Sequence, residues 1–366
     1  MSEIGGGAEE YLRGATVLVA TCAGLRREER AYVVSDPATC EVGEYVARVA
    51  AETTERVRHD TIDGAAMHGV EPPGAIARRI AESEVVFCLT RASMAHTQAR
   101  KRATDAGTRF LSLPDYSLEL LASASLRADF EAIRPRAEAL AARLSAGSAM
   151  KIQSDLGTDL SLVIAGRAAN CCPGVCREPG SLASPPDAEV NIAPVEGSAE
   201  GVAWIDGSIP CPGIGLLAEP LGLVIRSGRI VEFAGPGGIV AQLQSIFHQA
   251  EAPERHVVAS LRDANSGLGE TGPRAAARLL AEFGIGLNPH ARLSGRMLED
   301  EGCAGTVHLG FGSNATIGGR NRVAFHLDFV IRSPSVWIDE ALVLQGGVWQ
   351  IADQAPRKEK SCPVAT

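Results

Sequence analysis

A histidine and an aspartate lie two residues apart in the apolar segment Phe325-His326-Leu327-Asp328-Phe329. In a β-strand, residues i and i+2 point to the same face, so His326 and Asp328 would project together while Leu327 faces the opposite layer. An imidazole and a carboxylate on an apolar strand are costly to bury unless they pair with each other or bind a metal ion. From this pattern alone, a metal site and a hydrogen-bonded core pair are both open.

A second histidine favours the metal site. His308 lies in the segment Gly305–Gly312, which is typical of a strand that runs into a glycine-rich turn. Two histidines and a carboxylate on neighbouring strands form the facial triad of non-haem Fe(II) enzymes, and they are also half of a two-metal hydrolase site. Taken alone, His308 would more often be a histidine of the core. Together with His326 and Asp328, it predicts a metal centre in the C-terminal half.

Two acids are further candidates for this centre. Glu282 lies where the helical pattern of Arg274–Phe283 breaks into glycines, and Glu189 begins an apolar segment, Val190–Ile205, that is typical of a strand. Each acid taken singly is more often a solvated surface residue. Their role as ligands therefore depends on other features of the sequence.

The first 146 residues contain the elements of a regular α/β sheet. Short apolar runs alternate with amphipathic segments, and Val85–Thr90 is continuously apolar, as in a strand that is buried on both faces. This alternation predicts a doubly wound parallel sheet. No Gly-x-Gly-x-x-Gly follows any of its strands, so a dinucleotide site is not supported. The predicted strands and helices are, in chain order, Arg30–Ser35, Val42–Thr54, Val57–Ile62, Pro73–Ser83, Val85–Thr90, Ala95–Ala106, Arg109–Leu113 and Leu126–Ala146.

The pattern changes after Met150. Lys151–Ile164 and Leu221–Phe233 alternate around turn residues and predict β-hairpins, while Val323–Leu344 is typical of strands. Helices are predicted at Ile239–Ala250 and Arg274–Phe283. We therefore expect two domains, an α/β Rossmann-like domain over residues 1–148 and an α+β metal-binding catalytic domain over residues 149–366.

Composition narrows the class of protein. The chain has 366 residues with a net charge of −9 and no long basic block, so a nucleic-acid partner is not expected. No apolar run is long enough to span a bilayer, and the acidic, Gly-rich start differs from a secretory signal. Nine cysteines without such a signal indicate reduced thiols. We expect a cytoplasmic enzyme that acts away from membranes.

Several C-terminal segments together resemble the metal-binding segments of the thermophilic aminopeptidase T family of metallopeptidases. These segments are Glu189–Gly201, Ala281–Pro289, Gly305–Gly312, Gly318-Gly319 and His326–Asp328. The resemblance implies a homodimer that hydrolyses a small amide or short peptide with two divalent ions, such as Zn, Mn or Co. The ligands it implies are Glu189, Glu282, His308, His326 and Asp328. The chain departs from the family at about Ala315, where the family has a tyrosine of its catalytic site.

The segments Arg177–Gly180, Ser198–Gly201 and His326–Asp328 also resemble the 2,5-dihydroxypyridine 5,6-dioxygenases. This alternative implies one Fe(II), bound by two histidines and an aspartate, that opens an aromatic ring with O2. The first of those histidines corresponds here to Glu282, so His308 would have to supply the second imidazole. In both alternatives Glu178 is the expected acid/base group. A non-enzymatic binding protein of the same fold is the third possibility, and the intact ligand set argues against it.

Two further features of the sequence contain residue types that bind metal ions. The cluster Cys171, Cys172 and Cys176 has no second Cys/His pair at zinc-finger spacing, so we interpret it as a loop that lines the site. His96 is expected on a helix surface, with a cleft between the two domains as the alternative.

Overall fold

The computed structural model describes residues 7–65, 69–95, 97–251 and 273–350. The predicted surface histidine, His96, lies outside the described residues. No helix of the described residues is long and apolar enough to cross a membrane.

The first sheet is parallel, and its strands are β1 (Ala31–Ser35), β2 (Val57–Thr61), β3 (Val85–Leu89), β4 (Arg109–Ser112) and β8 (Leu182–Ala183). Their order is β2-β1-β3-β4-β8, so the chain winds to one side of β1 and then to the other. This is the doubly wound arrangement that the sequence predicts. Strands β1, β3 and β4 are buried along their whole length because both faces of the sheet are covered.

The helices that cover this sheet are α1 (Ala8–Thr16), α2 (Cys40–Thr53), α3 (Gly74–Ala81), α4 (Gln98–Asp105), α5 (Leu118–Leu121) and α6 (Phe130–Ala146). Val33 packs in one core cluster with residues of α1 and α2, whereas its neighbours Tyr32 and Val34 pack in a second cluster with residues of α3. Helix α1 continues as a π-helical segment, Val17–Cys22, and Ala124–Arg127 forms a 3-10 turn. The sequence interpretation anticipated α2, α3, α4 and α6 but not α1.

The remaining strands are antiparallel. One sheet contains β5 (Ala149–Gln153), β6 (Asp159–Val163), β10 (Glu200–Ile205), β13 (Leu221–Arg226), β14 (Arg229–Ala234), β18 (Ser335–Ile338), β19 (Ala341–Gln345) and β20 (Val348–Trp349). Its order is β14-β13-β10-β6-β5-β18-β19-β20. A small ladder pairs β11 (Ser208–Ile209) with β12 (Gly215–Leu216). Both predicted hairpins are present, as β5–β6 and β13–β14.

The third sheet positions the candidate ligands. Its strands are β7 (Ala169–Cys172), β9 (Glu189–Ile192), β15 (Leu280–Gly286), β16 (Thr306–Gly312) and β17 (His326–Arg332), in the order β17-β16-β15-β9-β7. Strands β15 and β16 are buried throughout. On β17, Leu327 between the two ligands and Phe329 after them are buried in the main apolar core, as the alternation predicts.

One prediction about an individual element was wrong. The helix predicted over Arg274–Phe283 is a 3-10 turn, Pro273–Arg278, followed by strand β15. The alanine-rich start mimics a helix locally, but pairing with β9 and β16 on both sides holds the following residues extended. The segment Val190–Ile205, which is predicted to be extended, contains two strands, β9 and β10, which belong to different sheets. The other helices of this half are α7 (Gly237–Glu251) and α8 (Met297–Asp300).

The fold is thus mixed α/β, with one parallel sheet and antiparallel sheets. Strand β8, from beyond residue 148, pairs with β4 and extends the parallel sheet. The division into residues 1–148 and 149–366 stays a prediction.

Candidate metal centre

The register of the third sheet brings the five predicted ligand residues onto one face. Residues opposite each other in an antiparallel pair share a face, and Gly284 is opposite His308 while Gly310 is opposite Asp328. Glu282, two residues before Gly284, faces the same way. The same holds for Glu189 opposite Gly286 and for His326 opposite Gly312.

Two glycines make room for the imidazoles. A Cβ at Gly284 would overlap the ring of His308, and a Cβ at Gly310 would lie 2.7 Å from His326 Nε2 and 2.8 Å from Asp328 Oδ1. Gly284, where the predicted helix breaks into glycines, and Gly310, from the predicted strand and glycine-rich turn, therefore form the floor on which the ligand side chains lie. This arrangement explains why β15 and β16 alternate glycine with apolar residues.

The ligand residues form two groups that share Glu282. We call Glu189, Glu282 and His308 the inner group. His308 Nε2 lies 3.2 Å from Glu189 Oε2 and 3.8 Å from Glu282 Oε1. The side chain of His308 is only 2% exposed, so this group is closed to solvent.

The rim group consists of Glu282, His326 and Asp328. His326 Nε2 lies 3.1 Å from Asp328 Oδ1 and 3.4 Å from Glu282 Oε2. The side chain of His326 is 34% exposed, which gives this group access to solvent and ligands. Glu282 thus directs one carboxylate oxygen to each group.

Backbone and amide groups orient the ligands. His326 Nδ1 donates to the carbonyl oxygen of Ser313 at 3.1 Å, which leaves Nε2 to face the acids. In the inner group, Asn191 Nδ2 donates to Glu189 Oε1 at 2.6 Å, and Asn170 Nδ2 donates to Asn191 Oδ1 at 2.8 Å. Such outer contacts fix the direction of a metal ligand before the ion arrives.

The loop between β16 and β17 is fastened at Glu196. Its Oε1 accepts from the backbone N–H of Arg320 at 2.6 Å and from Asn314 Nδ2 at 3.2 Å, and its other oxygen pairs with Arg167. Asn314 in turn accepts from the backbone N–H of Asn321 at 2.7 Å. This network holds the segment that leads into His326.

Buried carboxylates outnumber cationic groups at the centre. Burial, together with neighbouring acids, raises the pKa of Asp187 and of Glu301 well above the usual range. Burial also raises the pKa of Glu189 to about 7, although His308 opposes the shift. A hydrogen bond from Glu301 helps to stabilise the charged form of Asp328. Five acids thus face two imidazoles.

The same carboxylates change the pKa of both imidazoles. Burial opposes protonation of both rings, but nearby carboxylates outweigh it and raise the pKa of His308 to about 9 and that of His326 to about 10. The main contributors are Glu189 for His308 and Asp328 for His326. In turn, burial of Asp328 is outweighed by His326, so its pKa is lowered.

These residues fit a divalent cation. Glu189 Oε2 and His308 Nδ1 are buried without a hydrogen-bond partner among the described residues, and an ion would satisfy the former. Carboxylate and imidazole ligands suit Fe, Mn, Co and Zn. A cation would also offset the repulsion between the acids. The predicted ligand residues are therefore all brought together, in two groups.

Other predicted site residues lie apart. Glu178 is exposed on a turn whose neighbours Pro179 and Gly180 pack near Gly107 and Thr104, and no contact joins its side chain to the ligands among the described residues. Ala315 lies in the loop after β16, half-buried.

The cysteine cluster divides between two places. Cys172 lies on β7, directly opposite Glu189 in the register, and its pKa is raised by burial and by this acid. Cys176 is buried instead, and its thiol donates to the carbonyl oxygens of Phe110 and Ser181. One member of the cluster thus borders the centre, as a lining residue would.

Sequence interpretation missed Asp187, Asn191, Glu196 and Glu301. Asp187 carried a usable signal, because it lies two residues before Glu189, the same spacing that joins His326 and Asp328. Glu301 follows two other acids and could not be told from a solvated surface run. Its position beside Asp328 depends on long-range packing.

Comparison with known proteins places this geometry in context. A family model described as NicX, 2,5-dihydroxypyridine 5,6-dioxygenase, matches residues 12–351. No curated protein sequence matches the chain.

Two solved structures share the fold. The 2,5-dihydroxypyridine dioxygenase of Pseudomonas putida KT2440 superposes with a TM-score of 0.75 at 18% identity, covering 94% of this chain and 98% of that one. Wild-type AmpT from Thermus thermophilus superposes with a TM-score of 0.64 at 16% identity, covering 94% of this chain and 99% of that one. At these identities the likeness shows a shared fold. The two structures represent the two families that segments of the sequence resemble.

Proposed function

The chain belongs to the NicX family of 2,5-dihydroxypyridine 5,6-dioxygenases, and on this premise we propose that it is an Fe(II)-dependent dioxygenase that opens a hydroxylated nitrogen heterocycle with O2. The observation that carries the proposal is the rim group, three candidate ligands of which one is partly exposed, in a chain that the family model matches along most of its length. A mononuclear oxygenase site needs protein ligands on one side and open positions on the other.

Glu282, His326 and Asp328 would hold the ion in this proposal. When bound, iron would supply the redox and Lewis-acid chemistry that joins O2 to the ring. This ligand set has one imidazole and two carboxylates, because His308 groups with Glu189 and Glu282 and not with His326 and Asp328. The set differs from the two histidines and one aspartate that the resemblance implies, because a glutamate occupies position 282.

Residues around the rim group orient its ligands. Ser313 keeps Nε2 of His326 directed at the acids, and Glu301 adds to the effect of His326 in lowering the pKa of Asp328. On the opposite face of β17, Phe329 packs edge-on against Phe311 in the apolar core, with ring centroids 5.4 Å apart. These contacts fix the strand that carries His326 and Asp328.

A second candidate function, hydrolysis of a small amide or short peptide, is favoured by a separate observation. Glu282 directs Oε1 toward His308 and Oε2 toward His326, as a carboxylate that bridges two ions would. Two Zn, Mn or Co ions would then be held, one by each group, and they would supply an acidified water for attack on an amide. Glu178 remains the sequence-based proposal for the general base of this reaction.

Four further sequence-based expectations are also proposals. They are the division into an α/β domain (residues 1–148) and an α+β metal-binding domain (residues 149–366), a homodimer, a small-molecule or short-peptide substrate, and a cytoplasmic location.

The test is oxygen uptake by protein that has been reconstituted anaerobically with Fe(II). With 2,5-dihydroxypyridine as the probe, we expect O2 consumption in step with loss of the ring's ultraviolet absorbance, and no activity with Zn. The matched control is the Asp328→Asn protein treated in the same way.

Release of amines from short peptides by the Zn, Mn or Co form, without O2 uptake by the Fe form, would replace the first proposal with the second. Failure of every metal form in both assays would overturn both.

A further inference from the structure

A cavity of about 480 Å³ lies at the opposite end of the β16–β17 hairpin from the rim group. Thr306 and Arg332 line it, and they pair with each other at one end of the ladder, whereas Gly312 and His326 pair at the other end. Six residue steps separate the two pairs, which corresponds to roughly 20 Å along the strands. The cavity is therefore distinct from the metal centre.

Two arginines make the lining of this cavity positively charged. Arg292 and Arg332 both line it, both are exposed, and neither guanidinium forms an ion pair within the part of the chain that the structure describes. The carboxylate of Asp206 accepts the backbone N–H of Arg332 at 2.8 Å, but makes no ion pair with its guanidinium. In a chain with a net charge of −9, this is a local site of positive potential.

The rest of the lining leaves space for a ligand. Two turns meet there, and a Cβ at Gly305 would lie 2.9 Å from the carbonyl oxygen of Gly347. Both glycines have left-handed φ values, +85° and +80°, so bare backbone forms this part of the wall. Ser333 adds a hydroxyl group to the lining. The cavity volume lies within the range of small-molecule sites.

We propose that this cavity binds the oxyanion group of a small molecule, a carboxylate or a phosphate. Guanidinium groups bind such groups through paired N–H donors, and two that share one cavity suit a dianion. Its distance from the rim far exceeds the width of one heterocyclic ring. The occupant is therefore a second ligand of the enzyme and not the substrate of the metal centre.

Calorimetric titration of the metal-loaded, full-length protein with inorganic phosphate and, separately, with succinate tests this inference. We expect one anion per chain, and the tighter of the two probes identifies the chemistry of the group. Arg292→Gln and Arg332→Gln should each weaken binding about tenfold, because each removes charge-assisted hydrogen bonds. Arg27→Gln, an exposed arginine outside the cavity, is the matched control and should bind as the unmodified protein does.

An Asp328→Asn protein separates the cavity from the metal centre. Because phosphate also binds metal ions, the inference requires that this variant keep its anion affinity. Unchanged binding in both arginine variants, loss of binding in Asp328→Asn, or no binding of either probe would each overturn the inference. The proposed dioxygenase activity is independent of all three outcomes.

Discussion

The inner and rim groups of the metal centre share Glu282 but differ in exposure. The inner group places a fully buried His308 between Glu189 and Glu282, whereas the rim group contains a histidine that is 34% exposed. Removing one member of a buried charge pair is strongly destabilising, while catalysis needs a ligand position that small molecules can reach. The two groups thus place the same residue types at two depths, and the rim group contains the more exposed histidine.

The largest expected effect is that of Asp328→Asn. The substitution keeps the shape of the side chain but removes the charge nearest to His326. We expect activity to fall at least about 100-fold, since loss of even an outer contact of a metal site costs that much in some enzymes. Turnover and bound metal, measured with circular dichroism as a check of folding, test this. Activity within a few-fold of the unmodified protein would remove Asp328 from the site.

His308→Asn is the counterpart in the inner group. If iron occupies the rim alone, this variant keeps its metal but loses stability, because removing one partner leaves Glu189 buried without its counter-charge. Breaking a buried pair costs about 3–5 kcal/mol of the free energy of unfolding. Denaturant unfolding and metal content measure the two effects. Loss of half of the bound metal would instead indicate a second ion in the inner group.

The comparison also shows what sequence can and cannot reveal about this centre. The pairing of His326 with Asp328 was predictable, because the two-residue period of a strand is local. The element that carries Glu282 was not, since Arg274–Phe283 has a helical pattern and becomes a strand only through pairing with β9 and β16. Glu301 was missed for the same reason, because its contact with Asp328 depends on packing of distant segments. The five ligand positions came from a family resemblance more than from periodicity.

The two floor glycines allow a sharper test of the two groups. Gly284→Ala would overlap the buried ring of His308, and Gly310→Ala would crowd His326 and Asp328. Overpacking of this kind costs about 1–3 kcal/mol. We expect Gly284→Ala to lose more stability, because His308 cannot move outward, and Gly310→Ala to lose more activity.

Thermal unfolding and turnover, measured on both glycine variants, give the comparison. Equal losses of stability and equal losses of activity in the two proteins would mean that the inner and rim groups do not differ in role.

The smallest expected effect is that of Glu196→Ala, which releases the loop that leads into His326. Glu196 touches no ligand, but it accepts from Arg320 and Asn314 of that loop. We expect metal binding to weaken by up to about tenfold, because outer contacts of a metal ligand contribute at least that much and Glu196 acts one contact further out. Competition with a chelator of known affinity measures it, and Glu200→Ala on the exposed part of β10 is the control. Unaltered metal affinity would show that the loop holds His326 without Glu196.

The most direct test of the account is the identity and number of metal ions in protein purified without oxygen or chelators. Our expectation is one iron per chain, which the Asp328→Asn protein does not retain and the His308→Asn protein does. Two Zn, Mn or Co ions per chain, with one lost in each variant, would contradict it and establish the centre as a two-metal hydrolytic site.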